Sequence, residues 1–211
     1  EATRISNGVI ETVRSITGDG TISMLDSDSS YSIGEGNTEG RFTGIVEGFT
    51  NSQFEIIGGI WTFSGRSEDV GNGYSSFYVN GGTFIADASD TSLSMSPFSV
   101  SSGILGGTDE VGPVSVYGGT IAPGNSPGCL YPAGDVAFTD ENSILNVEIN
   151  GTTACSGYDV LNASGDIYLN DAVLNLDILE DYESTYGNIF TIVEGSSIIG
   201  TFTGLADGDT F

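Results

Sequence analysis

The sequence predicts an all-β chain whose short strands stack as a β-solenoid, and three observations predict it. Apolar and polar residues alternate in short runs, clusters of Gly, Asn, Asp and Ser separate those runs, and one pattern returns loosely along the chain. Helical periodicity is nearly absent. The best helical run, LDILEDYESTYG (176–187), is short and broken by β-branched and Gly residues.

In chain order the strand runs are GTISML (20–25), FEIIGGIWTFSG (54–65), SSFYVNGGTFIAD (75–87), SILNVEIN (143–150), DIYLNDAVLNLDIL (166–179) and IFTIV (189–193). Each places alternate side chains on opposite faces. In AVLNLDIL (172–179), Val173, Leu174, Leu176, Ile178 and Leu179 are expected on the apolar side, with Asn175 and Asp177 pointing away. The nine Tyr and eleven Phe are expected to stack inside the fold or along its faces, whereas an exposed aromatic row would point to glycan binding.

The repeat is seen in YVNGGTFIA (78–86), SVSSGILGG (99–107) and SVYGGTIAP (115–123). Each has Val, two small or polar residues, Gly, one residue, then a bulky apolar residue. Val79, Val100 and Val116 stand 21 and 16 residues apart, a spacing that suits one coil of a solenoid with the glycines recurring at one corner. A β-sandwich or barrel also has short strands at this spacing; the repeat favours the solenoid.

Charge excludes several classes of function. Against 29 Asp and Glu stand four arginines, no Lys and no His, a formal charge of −25. Nucleic acid and anionic membrane need clustered Lys and Arg, and Arg4, Arg14, Arg41 and Arg66 form no cluster. The acids read either as a solvated surface that attracts cations or as specific calcium sites. Gly, at 32 residues, is about twice its usual share, which fits recurring turns. No run of 18 apolar residues is present, so no membrane insertion is expected. The one cysteine pair, Cys129 and Cys155, lacks metal-ligand spacing and predicts a disulfide in an oxidising compartment, with two free thiols as the alternative.

The stretch GGTIAPGNSPG (118–128) raises the question of a phosphate loop. Such a loop leads into a helix N-terminus, usually with a Lys, and CLYPAGDVAF (129–138) offers neither. Gly118, Gly119, Pro123, Gly124, Asn125, Pro127 and Gly128 are therefore read as structural turns at a strand end. Without His or Lys, hydrolysis would fall to paired carboxylates, for which Asp159 with Asp166 or Asp177 with Glu148 are candidates. DSDSS (26–30) begins like a calcium loop, making Asp26 and Asp28 weak metal candidates, but lacks that loop's later Gly and Glu. NGT at Asn150 and NAS at Asn162 are glycosylation sequons, at a frequency close to chance in this composition.

Several of these segments, taken in order, are similar to autotransporter-associated β-strand repeat proteins. They are FTGIVEG (42–48), WTFSG (61–65), YVNGGTFIA, residues 99–130, 144–179 and 187–211, and the likeness spans roughly residues 34–211. GGTIAPGNSPG followed by YDVLNASG (158–165) is its most specific part. The resemblance implies a right-handed parallel β-helix in a secreted or surface-displayed bacterial protein acting as adhesin, stalk or fibre. The chain departs from that pattern in its two cysteines, in having no membrane barrel after the repeats, and in stopping at GLADGDTF (204–211). The last feature predicts a fragment, a processed product, or an end completed by another chain.

The resulting expectation is one continuous solenoid. It comprises N-terminal strands and first rungs over 1–50, repeat rungs over 51–128 and a C-terminal module over 129–211. The expected function is a non-enzymatic extracellular stalk or fibre subunit at the bacterial cell surface that associates head to tail. The alternatives are an adhesin segment for a glycan or surface ligand and, more remotely, a glycoside hydrolase. No cofactor is expected beyond calcium or other cations held weakly by the acidic surface.

Overall fold

The structure, a computed structural model, describes all residues except 1–2, 6–9, 25–28, 49–51, 70–74, 88–92, 180–181, 184, 207 and 210–211. The side chains of 3–5, 10–11, 24 and 68–69 also lie outside the description. Among the described residues the regular structure is all strand, and every ladder between named strands is parallel.

The strands form three sheets. One four-stranded sheet joins Thr3–Ile5, Thr21–Met24, Ile45–Gly48 and Arg66–Asp69. Another joins Glu110–Val111, Cys129–Pro132, Val160–Asn162 and Val193–Glu194. The third has 14 strands, organised by two eleven-residue strands, Gln53–Phe63 and Ser76–Ala86. Their first halves continue a stack from Ile10–Val13 and Ser30–Ile33 into Phe98–Val100, Val114–Val116, Val136–Phe138, Ile167–Tyr168 and Ile198–Ile199. Their second halves continue one from Glu39–Phe42 into Ile104–Gly107, Thr120–Pro123, Ile144–Ile149 and Val173–Ile178.

This order corrects the expectation of a right-handed parallel β-helix running as one continuous solenoid. The described strands make a large parallel sheet and two separate small ones, with no single coil repeated throughout. Two physical reasons account for it. The long strands bend at the place where the repeat predicts a corner but remain paired on both sides of it, so two stacks merge into one sheet. The return length is also not constant, since Val100 pairs with Val116 while Val136 pairs with Ile167.

The short-range repeat nevertheless lies in register. Val79 pairs with Val100 and Val100 with Val116, while Phe84 pairs with Leu105 and Leu105 with Ile121. Gly82, Gly103 and Gly119 stack at the bend between these columns. A Cβ on Gly103 would come within 2.6 Å of Val79 Cγ1, and one on Gly119 within 2.6 Å of Val100 Cγ1. Gly82 also holds φ +63°, beside the register shift in the long strands, so it needs glycine for both space and backbone conformation. Further along, Ile144 N donates to Gly119 O and Val173 N to Ser143 O, so buried Ser143 and then Ala172 continue the small-residue column.

Inward side chains follow the period of two. Gln53–Phe63 buries Phe54, Ile56, Trp61 and Phe63 while Glu55 and Thr62 are half-exposed. The aromatic residues expected in the interior form a column there. Tyr31, Phe54, Phe77 and Phe98 lie with successive ring centroids 5.5, 5.6 and 4.9 Å apart. Such pairs contribute about 0.5–1.5 kcal/mol each beyond burial.

Buried serines form a second column that the sequence reading missed. Gln53 N donates to Ser29 O and Ser76 N to Ser52 O, and Ser29, Ser52, Ser75 and Ser96 are all buried. Each stands two residues before a ring of the aromatic column, so Ser-x-aromatic (29–31, 52–54, 75–77, 96–98) was the signal available in the sequence.

The C-terminal strands differ from expectation. Val173–Ile178 is the last strand of its stack, so only Leu174 and Leu176 of its apolar residues are partly covered. Val173 faces outward at 38% exposure and Ile178 is 54% exposed. Val173 and Leu174 are neighbours and cannot share a face, which corrects their grouping. The helical run 176–187 forms no helix among its described residues, and the run 189–193 contributes only Val193 to a strand.

Candidate functional site

The site is built around Asp159, between the disulfide and the last long strands. Asp159 precedes the strand Val160–Asn162 and is 2% exposed. Its Oδ1 accepts from Gly128 N at 2.7 Å and its Oδ2 from Glu148 N at 2.8 Å, while its own N–H donates to Glu148 O at 3.0 Å. One carboxylate therefore ties together the turn before Cys129–Pro132, the strand Ile144–Ile149 and its own pass of the chain. Burial pushes its carboxyl above the ordinary aspartate value, the two N–H donors oppose that push, and the Glu148 charge adds to it.

The second acidic pair named from sequence does meet: Glu148 and Asp177 are register partners on adjacent parallel strands. Like charges opposite one another destabilise a sheet. Glu148 Oε2 is buried and accepts no hydrogen bond among the described residues. The other pair does not form a site with Asp159. Asp166 lies at the next bend, where its N–H donates to Asp135 Oδ1 at 2.9 Å. Chemically, both oxygens of Asp159 are held by backbone donors, which suits it to fastening strands.

A signed pH dependence follows. The folded-state value of Asp159 is raised above the unfolded one, about 3.9, so this group's contribution is fully present at low pH and is lost as pH rises through the folded value. The stability advantage of the wild type over Asp159→Asn is thus expected to be larger at pH 4 than at pH 8, read as the difference between urea midpoints. An advantage that grows with pH would mean that the backbone donors outweigh burial.

Cys129 and Cys155 are joined, with Cα atoms 4.9 Å apart. Cys129 is buried in its strand, while Cys155 sits exposed on the loop 150–158. That loop closes on itself through Asn150 N to Gly157 O at 2.7 Å and Cys155 N to Tyr158 O at 2.9 Å. Tyr131 Oη lies 3.6 Å from Cys155 Sγ. The two sequons are placed differently. Asn150 is exposed at the start of this loop, whereas Asn162 lies in a strand and donates to Glu194 Oε2 at 2.8 Å.

The turn residues surround the same region. Gly118 (φ +92°) and Gly119 precede the strand Thr120–Pro123. Gly124 (φ +90°) exchanges backbone hydrogen bonds with Gly107 at 2.8 and 2.9 Å, and Asn125, Pro127 and Gly128 lead into Cys129–Pro132. The metal candidates Asp26 and Asp28 lie outside the described residues. Among the described residues no three of His, Cys, Asp and Glu stand where they could hold a metal ion, and no helix is long and apolar enough to cross a membrane. Arg41 pairs with Asp87 at 3.4 Å in a partly exposed ion pair that contributes at most about 1 kcal/mol. The exposed tyrosines Tyr117, Tyr131 and Tyr186 sit on separate segments of the chain.

Compared with known families, curated proteins and solved structures, the chain matches none of them.

Proposed function

We propose that the chain is a structural element of an extracellular or bacterial-surface protein, holding distance and shape rather than turning over a substrate. The column Tyr31–Phe54–Phe77–Phe98–Val114–Val136–Ile167–Ile198 carries this reading, since it continues in register from strand to strand. In such a stack each strand's backbone groups bond to the strands before and after it, and the core lengthens one layer at a time. The disulfide fits an oxidising compartment.

The outer edges of Thr3–Ile5 and Ile10–Val13 at one end, and of Val173–Ile178, Val193–Glu194 and Ile198–Ile199 at the other, are unpaired among the described residues. Free strand edges are templates for a further strand, and copies are proposed to join by them end to end. With a charge of −25 on each copy, association requires screening or bridging cations. Negative-stain microscopy and sedimentation of the native material, with calcium and with a chelator, test this. Fibres one molecule wide that shorten in chelator support it. A monomer at every concentration in both media removes the end-to-end step, and turnover of a substrate would remove the structural reading itself.

A further inference from the structure

The outward side of the large sheet carries a groove of about 490 Å³ across Ile104–Gly107, Thr120–Pro123, Ile144–Ile149 and Val173–Ile178. In a chain with 29 acidic residues, none of the residues lining it is charged. Its floor is one outward column in register, Ile104, Thr120, Ile144 and Val173. Beside that column Ala122, the register partner of Gly106, lines the groove with a single methyl group. Beyond them Asn146 pairs with Asn175, and Asn175 Nδ2 donates to Asn146 Oδ1 at 2.5 Å. That bond orients the two amides. No hydrogen bond among the described residues takes up Asn146 Nδ2 or Asn175 Oδ1, which leaves a donor and an acceptor for a ligand.

We infer that this groove binds an uncharged saccharide chain laid across the strands. The volume lies within the usual range of ligand sites, roughly 300–1,000 Å³. Apolar Ile and Val surfaces suit the C–H face of a sugar ring, and the Thr120 hydroxyl and the two amides suit its hydroxyls. Strand-to-strand spacing of about 4.8 Å repeats these contacts along the groove. Charge narrows the occupant. A polyanion brings more negative charge to a surface already at −25, and Glu148 and Asp177 stand two positions beyond the asparagines on the same two strands, whereas a neutral polymer meets no repulsion at the uncharged lining. The groove reaches the edge strand Val173–Ile178, but it is lined by side chains on the sheet's face, whereas end-to-end assembly would use that strand's free backbone edge.

The test is calorimetric titration with neutral hexasaccharides (cello-, xylo-, manno-, laminari- and chitohexaose) and with oligogalacturonate as the anionic control. At least one neutral hexasaccharide is expected to bind, with little dependence on salt, and to bind at least tenfold more weakly to Ala122→Trp, which fills the groove. Asn175→Ala, a smaller change, is expected to weaken the same ligand, and retained disulfide and β-sheet circular dichroism report that both variants fold. The inference is overturned if no neutral hexasaccharide binds, if neither substitution weakens binding, or if oligogalacturonate binds more tightly. It is also overturned if the groove mediates dimerisation that Ala122→Trp abolishes.

Discussion

Phe77→Ala is expected to lower the unfolding free energy by about 3–5 kcal/mol, the range for removing a fully buried aromatic ring. Phe77 is 0% exposed and its ring contacts four others: Phe54 at 5.6 Å, Phe63 at 6.5 Å, Phe84 at 5.5 Å and Phe98 at 4.9 Å. Truncation removes those contacts together and leaves a cavity between layers that are tied by backbone ladders on both sides, so collapse to refill it is restricted. The measurement is the urea midpoint and slope of the variant against wild type. A loss below about 1 kcal/mol would show that neighbouring layers close the gap, and that the aromatic column is not a tightly packed core.

Replacing both cysteines by serine is expected to cost about 3–4 kcal/mol by the chain-entropy account for cysteines 26 positions apart. The link fastens the exposed loop 150–158 to the buried strand Cys129–Pro132, one residue from Gly128, whose N–H is held by Asp159. The disulfide and the carboxylate thus fasten neighbouring points of the same two passes. Their effects are expected to be non-additive: Asp159→Asn should cost more in the double-serine background than alone. Equilibrium denaturation of the four proteins of that cycle checks both statements. Equal midpoints with and without the disulfide would mean that the loop is held as well by its own hydrogen bonds.

Much of the candidate site was visible in the sequence as residues but not as roles. Asp159, Glu148, Asp177 and the cysteines could all be named, because carboxylates and thiols are chemically conspicuous. That Asp159 accepts two backbone N–H groups was not visible, since Gly128 and Glu148 belong to other passes of the chain. Glu148 with Asp177 is one of two candidate carboxylate pairs in the sequence, and the parallel register makes them partners. The groove proposed to bind saccharide had no sequence signal, because it depends on Ile104, Ala122 and Asn175 reaching one face from different strands.

Local pattern and tertiary pairing divide the fold between them. Alternation with period two is a property of each strand alone, so the buried residues of Gln53–Phe63 and Ser76–Ala86 can be read directly. Where returns are short and free of gaps, the stacking can be read too, as Val79, Val100 and Val116 show. Beyond Val116 the returns lengthen, and Ser143 and Ala172 take the place of the corner glycines, so the repeat loses its written form while the column continues. Which strands share a sheet is set by contacts between residues far apart in sequence, and no local pattern encodes them. The merging of two stacks along the eleven-residue strands, and the separation of the two small sheets, are decided there.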